Sequence, residues 1–399
     1  MKITDAIMKS MKRIGGGSKT YGQPLQATLI TGGVGSAAQI NIPNSWDCRK
    51  LLLKVAVKTY ATADATFTFV DYVANIMLAL DTVRVNVSGD YNGNWGGVSF
   101  DVSGQVLAYL ALIKGFASTN VITTCGVTGT RRTQYAYIPI DFTMNQSGRV
   151  LDALLSKRAS SWIYFNPISV GSPALLASNA GLAFDSMTVT IMQDLESRPN
   201  SNDAYVAAVR YCQIKKAQML VASTPGQNVT FTIDNNERLA SLTLLIGAAN
   251  SVQNSVVPTD GISGLGLFIN GTPVIPQSTD PYFVRADWRY SNKFGLLPSD
   301  TLPSSGANGN CVGVVGMYRF VFNDDADHVN LGQFPILNQS SGDNYFICDT
   351  NTTGVFALVI AEGYKGAPTR LKKGAESSPG AGTAVVAGQP VAGTPVQGQ

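Results

Sequence analysis

The chain has 399 residues, 45% of them apolar and only 14% charged, with a formal net charge of +3. That balance excludes a chain disordered throughout and leaves material for two buried cores. The charge sits at the ends: residues 1–22 carry five Lys/Arg against Asp5, residues 365–399 carry four against Glu376, and the body between them sums to −4. With only isolated basic pairs such as Arg131-Arg132 and Lys215-Lys216 in that body, specific nucleic-acid binding is not expected.

Residues 1–14 plot as an amphipathic helix. Ile3, Ile7, Met11 and Ile14 share one face, Lys2, Lys9, Lys12 and Arg13 gather opposite, and Gly15-Gly16-Gly17 ends the segment. Such a segment suits a mitochondrial-type presequence, a surface-lying membrane anchor, an arm that docks into a neighbouring subunit, or a solvated terminus. From Gln23 the punctuation is that of strands, at 25–30, 39–42, 51–60, 66–70, 76–80 and 83–87, with Gly, Pro, Asn and Asp between them. Helical spacing interrupts at 106–114, where Leu107, Leu110 and Ile113 share a side, and at 150–157, with Leu151, Leu154 and Leu155. A strand at 184–193 closes this half.

The polar stretch 196–203, with Pro199, opens an expected linker that runs to residue 210, with a short helix over 204–210. A second series of strands follows at 217–222, 229–233, 239–246, 265–269, 282–288, 312–322, 345–348 and 354–361. Residues 374–399 contain no Ile, Leu, Phe, Tyr or Trp and read as a tail.

One passage occurs twice: Thr66-Phe67-Thr68-Phe69-Val70-Asp71 returns 164 residues later as Thr230-Phe231-Thr232-Ile233-Asp234. A period of that size matches a β-domain and is far longer than a solenoid repeat. The expectation is an all-β chain of two similar sandwiches in tandem, at 23–195 and 211–364, between an arm at 1–22 and a tail at 365–399.

Little in the sequence points to catalysis or cofactors. His328 is the single histidine, and Gly261-Ile262-Ser263-Gly264 lacks the spacing of a nucleophile elbow. Asp324, Asp325 and Asp327 crowd beside His328, but their spacing is that of an Asx turn and not of an EF-hand, so Ca²⁺ binding stays open. Gly33-Val34-Gly35-Ser36-Ala37-Ala38 matches GxGxxA superficially, yet an alternating strand pattern follows where a phosphate-binding helix is needed. Asp194 and Glu196 lack an inferable apolar enclosure, and Trp46, Trp95, Trp162 and Trp288 are scattered. Cys48, Cys125, Cys212, Cys311 and Cys348 form no CxxC pair and read as buried thiols. Sequons at Asn86, Asn145, Asn228, Asn270, Asn338 and Asn351 are ordinary for an Asn/Thr-rich chain, and no apolar run reaches the length of a membrane span.

The arrangement resembles the double jelly-roll major capsid proteins of tailless, internal-membrane icosahedral bacteriophages, the tectivirus-like lineage. The likeness covers nearly the whole chain. It is carried by residues 76–114, with Asn92-Gly93-Asn94-Trp95-Gly96-Gly97 between strand and helix; by the closing strand over 187–194; and by 265–270 leading into 282–290. The resemblance implies two eight-stranded jelly rolls per subunit and homotrimers that form pseudo-hexagonal tiles of a virion shell assembled in the host cytoplasm. It implies as partners neighbouring trimers, penton and minor capsid proteins, and an internal membrane met by Lys2, Ile3, Ile7, Lys9, Met11, Lys12, Arg13 and Ile14. Catalytic residues, metals and cofactors are not implied. The competing expectation is a carbohydrate-binding or adhesive pair of sandwiches, as in a virion spike or surface module.

Overall fold

The computed structural model describes residues 19–43, 47–61, 65–69, 76–77, 79–87, 97–113, 122–126, 128–129, 131–141, 161–168, 182–196, 209–234, 237–249, 256–258, 261–281, 283–284, 316–322, 343–351 and 355–365. The first half contains β1 (Lys19–Tyr21), β2 (Leu25–Thr31), β3 (Val34–Gly35), β4 (Ala38–Asn41), β5 (Asp47–Ala61), β6 (Ala65–Phe69), β7 (Leu80–Val87), β8 (Gly97–Val102), helix α1 (Gly104–Ile113), β9 (Ile122–Gly126), β10 (Arg131–Asp141), β11 (Trp162–Pro167) and β12 (Leu182–Glu196). The second contains β13 (Val209–Met219), β14 (Gln227–Thr230), β15 (Glu237–Ala249), β16 (Val256–Pro258), β17 (Ile262–Ile269), β18 (Thr272–Thr279), β19 (Met317–Val321), β20 (Tyr345–Thr350) and β21 (Val355–Lys365).

The strand orders are those of two jelly rolls. In the first, β10-β5-β12-β2 forms one sheet and β4-β11-β7-β8 the other; in the second, β19-β15-β21-β13 faces β14-β20-β17-β18. Within each half the first, eighth, third and sixth of these strands share one sheet, and the second, seventh, fourth and fifth share the other. β6 and β9 form a separate two-stranded ribbon.

The halves meet through the backbone itself. β8 and β13 pair in parallel, with Cys212 opposite Phe100 and Gln213 opposite Asp101, so one sheet of the first sandwich runs on into one sheet of the second. Helix α1 packs in the same region. Ser103 caps its start by accepting from the Val106 amide at 3.4 Å, and the Gln105 side chain donates to the Val256 carbonyl at 2.6 Å while accepting from the Val256 amide at 2.9 Å. Gly104 is required there, because a Cβ would run into the Met77 carbonyl oxygen and the Leu80 side chain.

Burial explains the two strand patterns. On β5, Leu51, Leu53, Val55, Val57 and Thr59 are buried while the alternate residues are half-buried, as expected for a sheet covered on one face. On β15, residues 239–247 are buried without alternation, because that sheet is covered on both faces. Leu242, Leu244 and Ile246 enter the second core with Phe231 and Phe346. Leu245 joins Cys212, Met317, Leu358 and Ile360 in the first core. The two cores are therefore not independent, and the strands of both sandwiches fall within a single compact unit.

Several expectations are corrected. The strand expected at 76–80 is helical at Ile76 and Met77, and β7 begins at Leu80, where the chain turns under the start of α1. The helix expected at 204–210 gives way to strand at Val209 and Arg210, drawn into the ladder by β21 and β8. The strand expected at 282–288 is helical at Phe283 and Val284, and the one at 229–233 leaves strand geometry after Thr230. The duplicated passage does not mark equivalent positions. Thr66–Phe69 lies in the β6–β9 ribbon, whereas Thr230 ends β14, whose counterpart in the first sandwich is β4. The duplication lies in the strand order, and the shared Thr/Phe alternation reflects only the common demand of half-buried strands.

Candidate functional site

The sequence-predicted contact residues Lys2, Ile3, Ile7, Lys9, Met11, Lys12, Arg13 and Ile14 lie outside the described residues, as do Asp324, Asp325, Asp327 and His328. Gly33-Val34-Gly35 falls in the β2–β3 hairpin, with Gly32 and Gly33 at φ +54° and +81°, so the GxGxxA passage turns between strands and presents no helix N-terminus. Asp194 is buried and its carboxylate faces the Lys50 ammonium at 3.5 Å. Among the described residues, no group of three or more His, Cys, Asp or Glu is placed to hold a metal ion, and no helix is long and apolar enough to cross a membrane.

The structure instead concentrates charge at the joint between the sandwiches. Glu362, near the end of β21, accepts from the Arg210 guanidinium of β13, from Arg319 of β19 at 2.6 Å, and from the Ser241 hydroxyl of β15 at 3.2 Å. Beside it, Lys215 meets Glu237 at 2.7 Å. None of these five charged side chains is more than 11% exposed. The cluster is tied to the first sandwich by the Ser99 hydroxyl, which donates to the Arg210 carbonyl, and by Gln213 Nε2, which donates to the Val98 carbonyl at 2.7 Å. Ions so far from water persist only when each is paired, so the network fixes the relative register of four strands at the place where the halves join.

Its field also acts on Tyr211, which is fully buried. Burial first, then the charges of Glu237, Cys212, Asp234 and Glu362, push its phenol well above the ordinary 10.0. Burial, with Asp349 adding to it, likewise pushes the Cys348 thiol up to about 12. Asp81 is raised by burial, against which hydrogen bonds from Thr82 and Asn166 pull. For Tyr211 and Cys348 the shifts belong to a packed interior, where neutral forms are favoured, whereas Asp81 is only half-buried.

Outside the joint, the outer face of the β10–β5–β12 sheet stands out. Lys50, Lys54 and Lys58 recur along β5 every fourth residue, with exposed Tyr135 and Tyr137 on the adjacent β10. Lys54 Nζ lies 4.6 Å from the Tyr135 ring centre and 5.8 Å from that of Tyr137. Lys58 and Arg131 both approach Asp185, at 3.0 and 3.6 Å. Sequence reasoning missed both features. Glu362 directly follows the apolar run 354–361 and Arg210 falls in the stretch that reads as linker; the Lys-x-x-x-Lys spacing on β5 is legible, but its tyrosine partners lie on a strand far away in sequence.

With this geometry in view, comparison with known proteins finds likeness in fold alone. No family model matches the chain, and no curated relative does either. Among solved structures, one of Sulfolobus Turreted Icosahedral Virus superposes with a TM-score of 0.58 at 9% identity, over 88% of this chain and 91% of that one. The PBCV-1 virus capsid gives 0.53 at 11%, over 87% and 93%. Faustovirus major capsid protein gives 0.51 at 10%, over 87% and 90%. The fold is the double jelly roll, matched along nearly the full length of each chain at about a tenth of identical residues, so the likeness is one of fold.

Proposed function

We propose that this chain is a major capsid protein, a structural subunit of a virion shell and not an enzyme. The observation that carries the reading is the fusion of two like jelly rolls into one unit by the β8–β13 pairing and the buried Glu362 network. A subunit that must tile a shell needs two bodies held at a constant angle, since error in that angle accumulates across every contact. The fold likeness to capsid proteins over most of their length supports the same role.

In this reading residues 23–195 and 211–364 are the two upright bodies, and three copies close into a homotrimeric, pseudo-hexagonal tile. The tile packs against other tiles and against penton and minor capsid proteins. Residues 1–22 form an arm whose apolar face around Ile7 and Met11 meets an enclosed membrane, with Lys9, Lys12 and Arg13 toward anionic headgroups. The 14% charge content suits a subunit whose neutral exterior is removed from water by its neighbours.

The test is light scattering of the purified chain together with electron microscopy of the particles that contain it. A species of three times 42.2 kDa, and threefold plates in a shell lined by a bilayer, are the expected results. A monomer at micromolar concentration overturns the capsid reading, and a shell without a bilayer overturns the membrane arm alone.

A further inference from the structure

The outward face of the β4–β11–β7–β8 sheet carries an ordered grid of aromatic and hydrogen-bonding side chains. Along β11, Ile163 and Phe165 are buried in the core, while Trp162 and Tyr164 alternate to the other face and stay partly exposed. Residues directly opposite one another across a ladder share a face. Asn41 of β4 and Asn86 of β7 therefore flank Trp162, and Gln39 of β4 and Arg84 of β7 flank Tyr164. Arg84 in turn lies opposite Asp101 of β8, and its Nη2 donates to Asp101 Oδ2 at 3.0 Å. On β4, where both side chains are exposed, Gln39 Nε2 donates to Asn41 Oδ1 at 3.2 Å. Each ring thus stands between two planar hydrogen-bonding groups, several of them held in place by contacts on the same face.

The chemistry of the grid indicates its ligand. An aromatic ring covers the flat C–H face of a pyranose, and amide, guanidinium and carboxylate groups beside it pair with the hydroxyls around the sugar's rim. Trp162 and Tyr164 are about 7 Å apart along the strand, so a short oligosaccharide reaches both. Arg84 and Asp101 cancel in charge and the other groups are neutral. That favours an uncharged glycan over a sialylated or sulfated one and supplies no basic track for a nucleic acid. Aromatics elsewhere are already covered. Lys54 Nζ lies over Tyr135 and Tyr137, and in the matching sheet of the second sandwich Phe268 is stacked on Tyr345, with ring centres 4.9 Å apart and 11° between the planes. Among the described residues, no aromatic ring is stacked on Trp162 or Tyr164.

We propose that the outward face of β4, β11 and β7, centred on Trp162 and Tyr164, is a binding site for a neutral oligosaccharide. The two rings stack on the sugars, and Asn41, Asn86, Gln39 and Arg84 pair with their hydroxyls. The jelly roll serves lectins as well as shells, so the fold accommodates such a face. The inference goes beyond the capsid reading and does not rest on it.

Titration of the full chain with cellohexaose, laminarihexaose, mannohexaose, xylohexaose and chitohexaose, read by saturation-transfer NMR and calorimetry, tests it. Sialyllactose and a heparin hexasaccharide serve as charged probes. At least one neutral probe is expected to bind, with an affinity that hardly changes as salt rises. Trp162→Ala and Tyr164→Ala are each expected to weaken that binding by on the order of tenfold or more, and Arg84→Gln by several-fold. Trp162→Tyr is expected to retain most of it. Tyr21→Ala, at an exposed aromatic on β1, is expected to leave it unchanged. Thermal melting checks each fold; if Trp162→Ala does not fold, Tyr164→Ser and Arg84→Gln carry the comparison. Absence of binding to every neutral probe overturns the inference, as does binding confined to the charged probes. Undiminished binding by Trp162→Ala and Tyr164→Ala, or equal weakening by Tyr21→Ala, places the sugar elsewhere and also overturns it. Loss of self-association in Trp162→Ala, with no glycan bound by the wild type, overturns it in favour of a protein contact. A trimeric wild type that binds no glycan ends this inference and leaves the capsid reading intact, whereas a monomer that binds through Trp162 does the reverse.

Discussion

The two sheets built on β5 and β15 have the same strand order and opposite surroundings. β5 is apolar on alternate positions because its outer face meets solvent, and that face carries Lys50, Lys54 and Lys58. β15 is apolar almost throughout because the first sandwich covers its outer face, and the charges that remain there are locked into the Glu362 cluster. One topology therefore tolerates very different sequences. What determines the pattern is the number of faces removed from water, not the position of the strand in the jelly roll.

The difference between the sheets has measurable consequences. The largest concerns the ion pairs: Glu362→Ala leaves Arg210 and Arg319 buried without their shared carboxylate and is expected to cost about 3–5 kcal/mol in denaturant unfolding. The corresponding loss on the open sheet, Asp185→Ala, removes a carboxylate whose partners Lys58 and Arg131 are 40% and 60% exposed. It is expected to cost less than about 1 kcal/mol, because water replaces the pairing. Equal costs would mean that the joint is as wet as the outer face.

Packing gives a similar contrast of smaller size. Leu245→Ala, on the covered face of β15, is expected to destabilise by roughly 2–4 kcal/mol, through lost burial and the cavity left behind. Lys54→Ala, on the open face of β5, is expected to stay within about 0.5 kcal/mol when measured on the dilute subunit. A mild Leu245→Ala would show that the two sandwiches can part at this seam without loss of either core.

The smallest expected effect is alkaline and also belongs to the joint. Tyr211 keeps its proton in the folded chain above the pH at which the unfolded chain releases it, so the folded state binds more protons there and stability falls as pH rises past 10.0. Cys348 acts in the same direction, its loss setting in above its ordinary 9.0 and growing toward about 12. Tyr211→Phe is therefore expected to lose less stability than the wild type between pH 10.0 and about 11. Identical pH profiles for the two proteins would place the phenol in contact with water.

How much of this was legible beforehand depends on range. Alternation along residues 51–60, the leucine spacing of α1 and the apolar run at 354–361 are local consequences of side-chain period, and all three elements exist where their pattern lies. Boundaries failed where a partner strand decided them: β13 begins at Val209 because β21 and β8 supply the ladder, though residues 204–210 alone read as helix. The repeated Thr/Phe passage pointed to a duplication that exists, but by way of strands that do not correspond.

By itself, the sequence determined the class of the molecule: few charges, many turn residues and short alternating runs leave little besides tandem β-sandwiches, with basic ends on an acidic body. Only the tertiary structure decided that the halves share a sheet and that Glu362 gathers Arg210, Arg319 and Ser241. It alone brought two tyrosines of β10 beneath Lys54 of β5. The physical reason is that periodicity is written between neighbours in the chain, whereas burial of a second face, charge pairing and aromatic contact depend on residues from separate strands, 152 positions apart for Arg210 and Glu362 and 121 for Ser241 and Glu362.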